Sequence, residues 1–225
     1  MAYILNIETS TTNCSVSLSK EGETLVLKED NSKDYSHAER LHVYIDEVLK
    51  EAEMLLQDID AVAVSKGPGS YTGLRIGVST AKGLCFSADK PLISISTLEA
   101  LAHQVKTNKG VIIPMLDARR MEVYSAVFDD EFKSIREIQA QILDELSFVE
   151  YLEQGKVFFV GNGIEKTKML INHPNAVFVE GKLPSANEMS MLAYNKYKKS
   201  DIEDVAYFEP YYLKDFIALK PKPKV

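Results

Sequence analysis

The order in which strand-like and helix-like patterns follow one another is the same in the two halves of this chain. In each half, three strand-like runs joined by short turns precede alternating helices and strands, which gives βββαβαβα twice. The runs are 3–9, 14–20, 24–29, 36–54, 59–67, 72–87, 91–96 and 97–105 in the first half, and 110–116, 121–128, 132–139, 143–154, 156–161, 164–172, 175–180 and 186–199 in the second. The repeat predicts an α/β fold of two similar lobes, each a sheet with helices on both faces.

The polar run 103–110 ends in a glycine and separates the two halves. We therefore expect a first lobe over residues 1–105 and a second over residues 106–225. The end of the chain, KPKPKV, alternates lysine with proline, and this pattern predicts an extended, solvated tail.

Two of the elements carry more detailed signals. In the strand 14–20, serines alternate with Val16 and Leu18, and the alternation predicts that the serines face outward. The helix 36–54 has Ser36 at its start and Glu39 three residues later, the pattern of an N-cap with a capping box.

Charge and composition limit the class of protein. The formal net charge of -7 at pH 7 argues against autonomous binding of nucleic acid, which needs a basic surface. The two cysteines, Cys14 and Cys85, are far apart, which fits buried thiols in a reducing compartment. No run approaches the roughly 20 apolar residues of a membrane span, and the N-terminus lacks a basic signal-peptide region, so we expect a cytoplasmic protein with no membrane association.

The glycine-rich stretch 65–84, SKGPGSYTGLRIGVSTAKGL, resembles a phosphate-binding loop at first sight. A Walker motif needs lysine and a hydroxyl residue directly after its last glycine, and this stretch has neither there. Within the helix that follows, Gly73, Gly77 and Ala81 form a stripe of small residues at a spacing of four. The stripe predicts close approach by another backbone, which can belong to this chain or to a partner.

The segment 115–127, MLDARRMEVYSAV, places Asp117, Arg119 and Arg120 between two predicted strands. The arginines could clamp a carboxylate or phosphate, or Asp117 could simply pair with one of them across a hairpin turn. The four histidines have no metal-ligand spacing, since His37 and His42 are five residues apart. We expect no metal site.

Two βββαβαβ lobes with glycine turns after the strands resemble the actin, Hsp70 and sugar-kinase (ASKHA) superfamily. The resemblance implies a nucleotide between the lobes, with an acidic residue and hydroxyls after the first strand and a glycine turn that receives adenosine. Glu8 and Thr9 stand at the position of the acidic residue and the hydroxyls after the first strand, and Gly161 and Gly163 stand at the glycine turn that receives adenosine. These four residues therefore form a possible vestigial nucleotide site. The alternative is that they only satisfy turn backbone groups.

The segments KGPGSYTGLRIGVSTAKGL, MLDARRMEVYSAVF and EPYYLKDFIALKPK together closely resemble the bacterial TsaB (YeaZ) family. The resemblance implies a non-catalytic subunit, without a cofactor of its own, of the machinery that makes N6-threonylcarbamoyladenosine (t6A) at position 37 of tRNAs. It implies pairing with the catalytic paralogue TsaD, engagement of the pair by the ATPase TsaE, and contact with tRNA only through the complex. A homodimer in the absence of TsaD stays open.

The same resemblance implies that TsaD binds the helices 36–54 and 72–87. We therefore expect an interface of Leu41, Ile45, Gly73, Gly77 and Ala81. In an ungapped alignment, Thr97 and Leu101 stand where TsaD has the histidines of its HxxxH metal motif. The competing hypotheses are an autonomous ASKHA ATPase or kinase and a metal-dependent peptidase.

Overall fold

A computed structural model of the chain describes residues 1–31 and 37–214 and contains two five-stranded mixed sheets. The first eight strands and α-helices are β1 (Tyr3–Glu8), β2 (Cys14–Lys20), β3 (Glu23–Asp30), α1 (His37–Glu51), β4 (Ala61–Gly67), α2 (Tyr71–Ala88), β5 (Leu92–Ser96) and α3 (Thr97–Ala102), with a short 3-10 helix (Leu56–Asp58) before β4. The next eight are β6 (Val111–Asp117), β7 (Glu122–Phe128), β8 (Ser134–Ile142), α4 (Val149–Leu152), β9 (Val157–Val160), α5 (Ile164–Leu170), β10 (Ala176–Val179) and α6 (Ala186–Lys198). Ser36 and the tail lysines Lys220, Lys222 and Lys224 lie outside the described residues.

The two sheets share one topology, which confirms the predicted repeat. The strand orders are β3-β2-β1-β4-β5 and β8-β7-β6-β9-β10, with an antiparallel hairpin side and a parallel side in each. Because the carboxyl ends of parallel strands meet at one edge of a sheet, the turns after β1, β4, β6 and β9 can border a common space between the lobes.

One predicted helix is much shorter than its pattern suggests. The run 143–154 contains only the single turn α4, because the chain before it forms a different turn. The carboxylate of Asp144 accepts hydrogen bonds from the backbone N–H of Leu146 at 3.0 Å and from the Ser147 hydroxyl at 2.9 Å. Phe148 then adopts a left-handed backbone conformation, with φ of 65°, and a helix cannot continue through it.

The expectation of outward serines on β2 is wrong. Ser15, Ser17 and Ser19 are all buried, because α6 packs over the face of the sheet that they occupy. The Ser17 hydroxyl donates to the carbonyl oxygen of Ala186 at 2.9 Å, and Asn6 on β1 donates to the hydroxyls of Ser17 and Ser19 at 3.1 Å. A polar layer on β1 and β2 thus lies under α6, beside an apolar cluster in which Ile93 and Ile95 of β5 pack on Met189, while α1 and α2 cover the opposite, apolar face.

The chain after α6 also returns to the first sheet. We call residues 201–214 the strap. The Lys82 ammonium donates to the carbonyl oxygens of Ala206 and Phe208 at 3.0 Å, and the Tyr211 N–H donates to the carbonyl oxygen of Lys66 at 2.7 Å. The division at residue 105 stays a prediction, and the segment 186–214 packs mainly on the first lobe although it belongs to the second half of the sequence.

Candidate functional site

A cavity of about 590 Å³ lies between the two lobes. The turn after β1, the loop that enters α2, the hairpin between β6 and β7, and the end of the strap form its walls. Its lining includes Ser10, Ser70, Asp117, Arg119, Asn162 and Lys214. This is the space in which the superfamily resemblance places a nucleotide.

Glu8 does not reach this cavity. Its side chain is fully buried, and one carboxylate oxygen accepts hydrogen bonds from the Ser10 N–H at 2.6 Å and from the Ser65 hydroxyl at 3.0 Å. Burial raises the pKa of Glu8 above the ordinary value of 4.5, and the hydrogen bonds from Ser10 and Ser65 offset part of this effect. The carboxyl group therefore ties the end of β1 to β4, and no metal or nucleotide in the cavity could touch it in this arrangement.

Thr9 binds α2 and not the cavity. Its hydroxyl donates to the carbonyl oxygen of Gly73 at 2.8 Å, and a Cβ atom added to Gly73 or Gly77 would overlap Thr9. The close approach predicted from the small-residue stripe is confirmed, and the neighbour is the turn after β1 in the same chain.

All five residues expected at a partner interface lie inside the chain. Gly73 and Gly77 are buried under Thr9, and Leu41, Ile45 and Ala81 belong to the core between the sheet and its two helices. These five must therefore be removed from the expected contact surface. Partner binding by the two helices stays a prediction, and it now depends on their outward-facing residues.

Gly161 and Gly163 do not line the cavity either. Gly161 has a φ of 109° and lies against the carbonyl group of Met115, to which the Gly163 N–H donates at 3.2 Å. Between them, Asn162 borders the cavity and accepts a hydrogen bond from the Asp117 N–H at 2.8 Å. The structure thus does not gather the four residues of the possible nucleotide site around a common space.

The hairpin after β6 is held by a lysine that the sequence did not reveal. Lys166 on α5 is buried, and its ammonium lies 2.8 Å from the Asp117 carboxylate. The same ammonium donates to the carbonyl oxygens of Arg120 at 2.6 Å and Glu122 at 2.9 Å. Asp117 therefore forms its ion pair with Lys166, and within the hairpin its carboxylate accepts a hydrogen bond from the backbone N–H of Arg119 at 2.6 Å, not from an arginine side chain.

The two arginines of this hairpin both have left-handed backbone conformations, with φ of 69° for Arg119 and 50° for Arg120. Both are exposed, and Arg119 faces the cavity. A glycine-lined hairpin would bring backbone N–H groups close to a ligand, whereas this one places a long cationic side chain there.

Apolar side chains on the outward-facing side of α1 and α2 are exposed to solvent. Phe86, near the end of α2, is 85% exposed, and Val43 on α1 is 49% exposed. Gly83 lies one turn before Phe86, and the space beside it is open. At the start of α2, Arg75 lies over the ring of Tyr71 at 4.1 Å and donates to the Tyr212 hydroxyl at 3.2 Å. We call Val43, Arg75, Gly83 and Phe86 the outer face.

The described residues contain no group of three or more histidine, cysteine or acidic side chains that could hold a metal ion. Among the same residues, no helix is long and apolar enough to span a bilayer. Cys14 and Cys85 are both buried free thiols, as expected.

Comparison with known proteins gives one consistent result. A family model described as "TsaD: tRNA N6-adenosine threonylcarbamoyltransferase" matches residues 31–222. The curated tRNA threonylcarbamoyladenosine biosynthesis protein TsaB of Haemophilus influenzae is 33% identical, with 98% of this chain and 97% of that protein covered. The protein of the same name in Escherichia coli is 31% identical, with 98% of each covered.

A solved structure described as YeaZ from Pseudomonas aeruginosa superimposes with a TM-score of 0.83 and 26% sequence identity, and covers 95% of this chain and all of that one. Together with the duplicated topology, this similarity confirms the expected α/β fold of the ASKHA type.

Proposed function

The chain belongs to the TsaB family of tRNA threonylcarbamoyladenosine biosynthesis proteins, and from that premise we propose that it is the non-catalytic subunit that binds and activates TsaD. Its role in t6A biosynthesis follows from the family. The proposal adds that TsaD performs the transfer of a threonylcarbamoyl group to N6 of adenosine 37, in tRNAs that read codons beginning with A, and that this chain stabilises TsaD for the reaction.

The outer face of α1 and α2 is the observation that carries the proposal. Phe86 is 85% exposed, although burying a phenylalanine side chain contributes about 2 kcal/mol. Gly83 leaves open space beside it, into which a side chain of a second helix could fit. Aromatic and arginine side chains are the residue types that most often dominate binding energy, and this face has both in Phe86 and Arg75.

The buried position of Glu8 supports a role without chemistry of its own. A carboxylate that positions a metal-bound water must reach the ligand, and Glu8 is instead closed off beneath the turn after β1. In the second lobe, Arg119 occupies the place where a phosphate would approach backbone N–H groups. A purified chain that hydrolysed ATP, phosphorylated a substrate or cleaved peptides by itself would replace this proposal with one of the two enzyme hypotheses.

The other partners follow from the same proposal. TsaE engages the pair formed with TsaD, and tRNA is bound by the complex, since the net charge of -7 does not favour tRNA binding by this chain alone. Without TsaD, the outer face is available for a homodimer. A tRNA-modifying complex of this kind works in the cytoplasm.

The test is the pairing of this chain with TsaD from the same organism, measured by calorimetry and by t6A formation in the reconstituted system. We expect Phe86→Asp to weaken pairing by about thirtyfold or more, the effect of losing about 2 kcal/mol at the centre of an interface. Because the side chain is exposed, the variant should unfold at the same urea concentration as the wild type.

Met169→Asp is the matched control. Met169 lies on α5 of the second lobe and is 73% exposed. Its substitution by aspartate therefore introduces the same negative charge in place of an exposed apolar side chain, at a position away from the outer face. If Phe86→Asp pairs as tightly as Met169→Asp, the outer face is not the interface.

A further inference from the structure

A second cavity, of about 350 Å³, also lies between the two lobes. Tyr211 of the strap borders both this cavity and the one of about 590 Å³ described above. The first lobe contributes Lys66 on β4 and Glu99 on α3, and the second lobe contributes Phe128 on β7 and Glu137 on β8. Small-molecule sites typically have volumes of about 300–1,000 Å³, so this cavity is large enough to enclose a small ligand in contact with both lobes.

One part of the cavity wall is apolar and largely aromatic. Phe128, Phe132 and Ile138 line it. Phe132 is held in place by stacking on His103, with the ring centroids 4.0 Å apart and the ring planes 15° apart. An aromatic ring offers apolar surface and also attracts a cation over its face. This wall therefore suits a ligand with an apolar body and a positive charge beside it.

Three charged side chains border the same cavity, and none of them forms an ion pair with another described residue: Lys66, Glu99 and Glu137. The carboxylate of Glu137 accepts a hydrogen bond from the Ser134 hydroxyl at 3.3 Å. Both carboxylates thus keep their charge available to a ligand. Since two negative charges stand against one positive charge, the cavity favours a cation over an anion.

The walls also limit which kind of cation fits. A divalent metal ion needs six or more oxygen ligands at short range, and an aromatic wall supplies none. Within the described ranges 1–31 and 37–214, no group of three or more acidic, histidine or cysteine side chains could hold such an ion. A protonated amine needs only hydrogen-bond acceptors for its N–H groups, and its carbon skeleton can cover the aromatic rings. An organic ammonium is therefore the better match.

We propose that this cavity binds an organic cation, a protonated amine with an apolar body. The ammonium group lies between Glu99 and Glu137, and the body lies against Phe128 and Phe132. Because Glu99 belongs to the first lobe and Glu137 to the second, the bound cation ties the two lobes together. This inference does not depend on the proposed pairing with TsaD, since the described walls of the cavity include no residue of α1 or α2.

The test titrates the full chain, without any partner, with phenethylammonium and with hydrocinnamate, and follows binding by calorimetry. The two probes share a phenyl ring and a two-carbon chain and differ in the sign of the charge. We expect the ammonium to bind at least tenfold more tightly than the carboxylate.

The variants should change this affinity in opposite directions. Glu99→Gln should weaken binding of phenethylammonium about tenfold, because a charge-assisted hydrogen bond becomes a neutral one. Glu137→Gln should weaken it about threefold, since Glu137 is the more exposed of the two. Lys66→Met should tighten it about threefold, because the substitution removes a repelling positive charge from the wall. A role in stability alone would not produce this reversal of sign.

Glu131→Gln is the matched control. Glu131 lies between β7 and β8, is exposed and does not border the cavity, so its substitution removes the same charge close by. This variant should bind phenethylammonium as the wild type does. Equal affinity of the wild type for the two probes would overturn the proposal. A loss in Glu131→Gln as large as that in Glu99→Gln would also overturn it, because the attraction would then reflect only the net charge of -7.

Discussion

The hydroxyl of Thr9 donates a hydrogen bond to the carbonyl oxygen of Gly73 at 2.8 Å. This contact fixes the turn after β1 against the first turns of α2. Each glycine lowers the stability of a helix by about 1 kcal/mol relative to alanine, and the close approach of Thr9 explains why α2 has glycine at positions 73 and 77. The small residues serve the packing of this chain, and the outward-facing side of the same helix remains available for a partner.

Gly77→Ala should destabilise the fold. The added Cβ would overlap the Thr9 side chain, and such overpacking costs about 1–3 kcal/mol, more than the gain in helix propensity. Gly83→Ala, on the same helix, meets nothing within contact distance and should stabilise by up to about 1 kcal/mol. Urea unfolding of both variants measures the difference, and equal stabilities would show that Thr9 moves aside at no cost.

Lys166→Met should loosen the hairpin that carries Arg119 and Arg120. The substitution removes the ion-pair partner of Asp117 and the ammonium donor of the Arg120 carbonyl oxygen, while the Glu122 carbonyl oxygen keeps only the Ala118 N–H, so we expect a loss of about 1–3 kcal/mol of stability. Lys168→Met on the same helix removes a surface ion pair with Glu180 and a contact 5.7 Å from the centre of the Phe178 ring, and should change the stability little. If both variants unfold at the same urea concentration, Lys166 does not hold the hairpin.

Glu8→Gln should change how stability depends on pH. Burial raises the pKa of Glu8 in the folded chain, so its favourable contribution is complete below the unfolded pKa near 4.5 and is lost as pH rises through the folded value. Glutamine keeps an oxygen that can accept from Ser10 and Ser65 and has no charge to bury. Relative to the wild type, the variant should therefore gain free energy of unfolding as pH rises from 5 to 8. A difference that is constant over this range would mean that Glu8 does not titrate differently on folding.

Local patterns predicted the order of elements well because the periodicity of each segment's own residues decides whether it forms a strand or a helix. They failed where distant residues decide the environment. The alternation of Ser15, Val16 and Ser17 is equally consistent with water or with a polar interface, and only the arrival of α6 distinguishes the two.

The same limit applies to the candidate sites. The stripe of Gly73 and Gly77 indicated a close neighbour but could not identify Thr9. Lys166 resembles any lysine of an amphipathic helix, because its three oxygen partners come from a hairpin more than forty residues away in sequence. Phe86 lies in a mostly apolar helix, where sequence alone does not say which apolar residues face water.

The polar layer under α6 has a consequence for synthesis on the ribosome. The strands of the first sheet are complete at Ser96, whereas the helix that covers their serine-bearing face begins only at Ala186. Until that helix emerges, the nascent first lobe shows water a surface on which Asn6, Ser15, Ser17 and Ser19 can be hydrated. The same face also carries Ile4, Ile93 and Ile95, which pack on α6. The hydroxyl groups therefore reduce, without removing, the apolar surface through which the unfinished lobe could aggregate.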